Sequence, residues 1–172
     1  MPAKDPEWRE ALAMVGELVL LASALDHQLN HVTIAVLHLE KSPMLEPVVA
    51  TLDPSRKIEI LRARSKHIKQ KDWKKGIERY LDKVERVLKA RNIACHSPLI
   101  KNDRGFEFAP PAASKLLKSL DLAQPSLYRR SGLKGVEDAI SVAEGALGDG
   151  ENILHNFTRV SAELKKRAAR DK

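Results

Sequence analysis

In Ile77-Glu78-Arg79-Tyr80-Leu81-Asp82-Lys83-Val84-Glu85-Arg86-Val87-Leu88-Lys89-Ala90-Arg91-Asn92-Ile93-Ala94-Cys95-His96 the apolar residues Ile77, Tyr80, Leu81, Val84, Val87 and Leu88 recur three and four apart. At 100° per residue such positions fall on one side of an α-helix. Asp72 is placed to cap this helix, and Pro98 disfavours helical geometry at Ser97, so the helix is expected to end near His96. Only one of its faces is strongly apolar, and that face must be buried against other elements.

The same signals extend in both directions. Asp5-Pro6 opens a long first helix, whose apolar positions Leu18, Leu21, Leu25, Leu29, Val32, Val36 and Leu39 carry it to about Glu40. Pro43 and Pro47 bracket a short second helix. Asp53-Pro54-Ser55 starts a third, with Ile58, Leu61 and Ile68 beneath basic residues. Downstream, residues Leu99 to Phe108 form two short apolar pieces around an Asn-Asp-x-Gly turn, read as a hairpin. A short helix from Ala112 to about Leu120, a loop through Pro125 and Gly132, and a helical region from Leu133 to about Ala168 complete the chain. Gly145, Gly148 and Gly150 are expected to break or bend that last region. The expectation is an all-α protein, an antiparallel up-and-down helical bundle with a small β-hairpin inserted after the fourth helix. One domain, 1–172, comprises a core bundle at about 6–97, the hairpin at about 98–109 and C-terminal helices at about 112–168.

With 172 residues, 43% of them hydrophobic, the chain can bury a core without disulfides. A lone Cys95 and the lack of an N-terminal basic segment leading into a short apolar run point to a reducing, cytoplasmic setting. The longest apolar stretch, Leu18 to Leu25, falls well below the roughly 20 residues of a bilayer span, so no membrane association is expected. The formal charge of +7 resides in residues 54–75, where nine Lys and Arg face only Glu59 and Asp72. Such a run suits a surface that meets phosphate, and equally a solvated helix face. No glycine-rich phosphate loop, paired-cysteine zinc site or nucleophile elbow is present, so no cofactor is expected. Aromatic residues at 4% argue against a base-stacking platform. His27 and His31 have the i, i+4 spacing that can hold a metal and share a face with His38. No third ligand accompanies them, and a solvated or dimer-contact face is the preferred reading. Cys95 beside His96 is read as a small core residue, since neighbours on a helix diverge by 100° and cannot easily share a proton.

Arg91 projects in nearly the same direction as Ile77, Val84, Leu88 and Cys95, which puts a cation on an apolar stripe. A guanidinium placed there calls for a carboxylate, a phosphate or a subunit crevice. Asn92 and His96, four residues apart, stack on the adjacent face. An imidazole can move the proton of an RNA 2′-hydroxyl or of the leaving 5′-oxygen while an Arg holds the phosphate. A two-fold dimer would bring two histidines to one cleft, one as base and one as acid. Arg62 to His67 has a similar spacing but lacks the Asn, the helix-terminal position and the inward Arg.

Arg91-Asn92-Ile93-Ala94-Cys95-His96 resembles the signature of the HEPN (higher eukaryotes and prokaryotes nucleotide-binding) domains: Arg, four to six residues, then His, often with Asn directly after Arg. The resemblance extends loosely over residues 10–110, with Asp26 as the acidic residue midway along the first helix and Lys57 as the Lys of a following helix. It implies a helical bundle, a homodimer with facing motif helices and, in many members, a metal-independent endoribonuclease used as a toxin or in phage defence. Other members bind nucleotides or dimerise without catalysis. Under the first reading His96 does acid-base work, Arg91 grips the scissile phosphate and Asn92 positions either. Asp26 supports, and the basic stretch with Lys57, Arg62, Arg64, Lys66 and Lys69 guides RNA. A toxin role would bring an antitoxin protein as partner. Pro98 stands where some toxins of the family carry a Tyr that a nucleotidyltransferase modifies, which argues against an antitoxin of that type. Under the second reading the protein is a non-enzymatic helical dimer that docks its basic face on nucleic acid or an acidic protein.

Overall fold

Asp5 Oδ1 accepts the Glu7 N–H at 3.0 Å and Pro6 takes the first helical position, where a missing N–H costs nothing. The computed structural model, which describes residues 5–42, 44–103, 105–109 and 132–170, accordingly starts α1 at Pro6 and carries it to Leu37. His38 then adopts φ +56°; its N–H bonds the Ala35 carbonyl and the Leu39 N–H bonds the Ile34 carbonyl. This paired closure ends the helix three residues before the expected Glu40.

α2 (Leu45–Thr51) contains Pro47 instead of stopping at it. Proline is tolerated in a first turn, whose N–H groups have no intrahelical partner. α3 (Pro54–Ser65) begins where Asp53-Pro54 indicates and buries Ile58 and Leu61, while Ile68 falls beyond its end. α4 (Lys71–His96) starts one residue before Asp72, so this acid sits in the first turn, near the positive end of the helix dipole, and is not the cap. Its end at His96 is the one expected, with Ser97 N–H still bonded to the Ile93 carbonyl at 3.0 Å.

β1 (Leu99–Asn102) and β2 (Gly105–Phe108) pair antiparallel from Leu99↔Phe108 to Asn102↔Gly105. Gly105 closes the turn at φ +103°, a region that other residues avoid. The short helix expected from Ala112 to about Leu120 and the loop through Pro125 lie outside the described residues.

α5 (Leu133–Arg170) corrects the expected break: it runs unbroken through Gly145, Gly148 and Gly150. Two of these glycines make room. A β-carbon on Gly150 would collide with the Gln28 amide, whose Nε2 donates to the Leu147 carbonyl at 2.8 Å. One on Gly145 would lie 3.1 Å from Lys83 Nζ, which reaches the Gly145 carbonyl. The fold is thus all-α, a helical bundle with a two-stranded hairpin after the fourth helix.

Two compact units share the chain. The first takes the described residues of Met1–Ala22 and Arg86–Val142 and buries Ala11, Leu18, Val87, Phe108, Val136 and Ala139. The second takes those of Ser23–Glu85 and Ala143–Lys172, around Leu25, Leu29, Val32, Leu61, Tyr80, Leu81, Ala146 and Ile153. Asp149 ties this second unit together. Burial pushes its carboxyl up, but hydrogen bonds from Arg79 and Lys83 outweigh that and hold it below the usual range. By length and composition α1 alone among the described helices could cross a membrane, with an 18-residue window of mean hydropathy 1.3. Its residues Leu18, Leu25, Leu29, Val32 and Val36 are fully buried within the protein.

Candidate active site

The apolar stripe of α4 is buried as far as Leu88 and then leaves the core. Arg91 is half-exposed, and Asn92, Ile93, Cys95 and His96 are exposed. This corrects two expectations. Arg91 is not a buried cation, and Cys95 is not a core residue, because the last two turns on that side lie open to solvent. Among the described residues no side-chain hydrogen bond or ion pair engages Arg91, Asn92 or His96. The last two turns of one helix therefore carry a guanidinium, a carboxamide and an imidazole at a solvent-facing end.

The hairpin fixes the position of that end. Pro98 stops the helix and its carbonyl accepts the Ala109 N–H at 2.9 Å, which closes the hairpin at its base. Lys101 on β1 then reaches Asp5 at 3.1 Å and Glu7 at 2.6 Å in the first turn of α1. Phe106 on β2 packs its ring edge-on to Trp8 with centroids 4.8 Å apart. The Lys101 hydrogen bond, aided by the Glu7 N–H, holds the Asp5 carboxyl below the usual range. Glu7 and then Asp5 hold the Lys101 ammonium above its own. Gly132, bridged to Glu107 just before α5, approaches the Phe106 carbonyl so closely that a β-carbon would lie 3.1 Å from it. These contacts brace the residues directly after His96 against the starts of two helices.

The remaining residues expected from the sequence divide. Asp26 and Lys57 come together: Lys57 Nζ donates to Asp26 Oδ1 at 3.1 Å, with the Lys side chain 1% exposed and the Asp 42%. Lys57 is therefore an internal cation and not an RNA contact, a correction that follows from its place on the buried face of α3. Tyr80, fully buried nearby, has its phenol pushed up by burial and then by the charge of Asp26, so it stays neutral. Arg62 is held by Asp82 at 2.7 Å and Glu85 at 3.0 Å, which removes most of its charge from any ligand. Arg64 is half-exposed, and Lys66 and Lys69 are exposed at the corner between α3 and α4. Lys71 and Lys75 extend that exposed set. Arg86 and Lys89, both exposed on α4, are not among the residues expected from the sequence. Their signal is nonetheless present in the chain: no acid lies between Arg86 and His96.

No protein-family model matches the chain, and neither a curated protein nor a solved structure does.

Proposed function

We propose that the protein is a HEPN-like, metal-independent endoribonuclease of the toxin or phage-defence type. It acts in the cytoplasm as a homodimer and cleaves RNA by attack of a 2′-hydroxyl. The observation that carries this reading is the set of side chains without a partner among the described residues on the last turns of α4, half-exposed Arg91 with exposed Asn92 and His96. The reaction needs two proton transfers: the 2′-oxygen attacks phosphorus as its proton passes to one imidazole, and the phosphorus–5′-oxygen bond breaks as a second imidazole supplies a proton. One His96 cannot do both at once, whereas a pair across a two-fold axis can. The carboxyl end of a helix carries about half a negative charge, which opposes a phosphate. The full charge of Arg91, with Arg86 on the same stretch, offsets it. Exposed Ile93 (44%) beside the set and Ile100 (43%) on β1 favour a covered, dimeric face. The basic corner of Arg64, Lys66, Lys69, Lys71 and Lys75 would supply salt-sensitive affinity for RNA.

Purified protein should cleave RNA in the presence of EDTA and leave 2′,3′-cyclic phosphate and 5′-hydroxyl ends. His96→Ala should lower the rate by at least about 100-fold and Arg91→Ala by about 100- to 1,000-fold, with the dimer retained. Cleavage that persists in both variants overturns the assignment. The second reading, a non-catalytic dimer that binds nucleic acid or an acidic protein, draws on the same exposed corner and predicts salt-sensitive binding without turnover. Growth arrest on expression of the wild type, absent with His96→Ala, separates the two.

A further inference from the structure

His27 and His31 take no part in the Arg91–His96 site. One turn apart on α1, both are exposed, and their Nε2 atoms lie 3.1 Å apart with ring planes at 86°. As a hydrogen bond this contact requires one ring protonated at Nε2 and the other carrying its lone pair there. Bonds of about 2.0–2.1 Å from two imidazoles to one zinc ion set their nitrogens about 2.9 Å apart at a right angle and about 3.4 Å apart at the tetrahedral angle. The observed separation falls between these limits. We propose that His27 and His31 chelate a single late first-row divalent cation such as Ni²⁺, Cu²⁺ or Zn²⁺, with water completing the coordination shell.

Both lone pairs go to the metal, and the proton on the donor ring's Nε2 moves to its own Nδ1, so both rings remain neutral and no proton is lost. His38 does not join them. It follows the end of α1, with its ring tilted against Phe157 at 6.0 Å. No group of three or more ligating side chains exists among the described residues, so the affinity is that of a two-imidazole chelate held ready by one turn of helix. The ion links successive turns of α1 and binds the folded helix, so it raises thermal stability in proportion to its occupancy. The inference stands apart from the ribonuclease reading, because EDTA would strip this ion and leave the proposed cleavage unchanged.

The test is a calorimetric titration of the full-length protein with NiCl₂, paired with the electron paramagnetic resonance spectrum of one equivalent of Cu²⁺. One ion per chain is expected, with nitrogen couplings from two imidazoles. The dissociation constant should rise at least tenfold in His27→Ala and in His31→Ala, and should not change in His38→Ala. Added Ni²⁺ should raise the melting temperature of the wild type and not that of His27→Gln, whose metal-free melting matches the wild type. Binding by the wild type no tighter than by either alanine variant, or a copper signal from one imidazole only, overturns the proposal.

Discussion

Lys57 is sealed from water while Asp26 keeps 42% of its side chain exposed, so the two halves of this ion pair are not equivalent. Truncating the acid strands a buried ammonium; replacing the base with an apolar side chain of similar length leaves an acid that can turn to solvent. Asp26→Ala should therefore cost about 3 kcal/mol and Lys57→Met about 1 kcal/mol in urea unfolding, and the reverse order would refute the role given to Lys57. In the sequence Lys57 is one basic residue in a run of nine, and nothing local distinguishes it from Lys66 or Lys69. Its partner lies 31 positions away on another helix, and the partners of Arg62 lie 20 and 23 positions away. Periodicity reports which face a residue occupies, not which distant carboxylate meets it. The motif could be picked out in the sequence because its spacing is local. The exposure of its residues could not, since the stripe from Ile77 to Cys95 continues in sequence past the point where the core ends.

Element boundaries were the most legible layer, because Asp5-Pro6, Asp53-Pro54 and Pro98 act through their own backbone chemistry. The glycines of α5 were misleading for a complementary reason: their cost is local, but what offsets it comes from Gln28 and Lys83 on other helices. The contrast can be measured. Gly148 is exposed, and a β-carbon added there would meet no atom within 4 Å, so Gly148→Ala should stabilise by about 0.5–1 kcal/mol. Gly150→Ala should destabilise, and Gln28→Ala should relieve the collision; a Gly150→Ala variant as stable as wild type would contradict that packing. The hairpin invites a pH test. Asp5 is depressed, so its contribution is present above its unfolded value of 3.8 and is lost as pH falls through the lower folded one. Lys101 is raised, so its contribution is present below 10.5 and is lost as pH rises through the higher folded value. Hairpin amides should exchange faster in Lys101→Met than in wild type near neutrality. That difference should shrink as Asp5 becomes protonated; a difference that does not vary with pH would mean the ion pairs do not secure the hairpin.

At the scale of the molecule, the proposed chemistry needs a second copy, and the exposed apolar side chain next to Asn92 is where that requirement is most easily broken. Ile93→Asp should shift the protein from dimer to monomer in sedimentation and abolish RNA cleavage while helicity is retained. An active monomer would remove the two-histidine mechanism. The chain's two tryptophans add a built-in pair of optical reporters. Trp8, edge-on to Phe106, belongs to the first unit, and Trp73, 5.3 Å from Phe157, to the second. Replacing one at a time with Phe gives each unit its own fluorescence signal. Because α1, α4 and α5 pass unbroken from one unit into the other, the two signals should change at one urea concentration, as in a single cooperative transition. Two separate midpoints would instead make the first unit, which carries His96, an independently melting part whose loss silences the proposed site before the second unit unfolds.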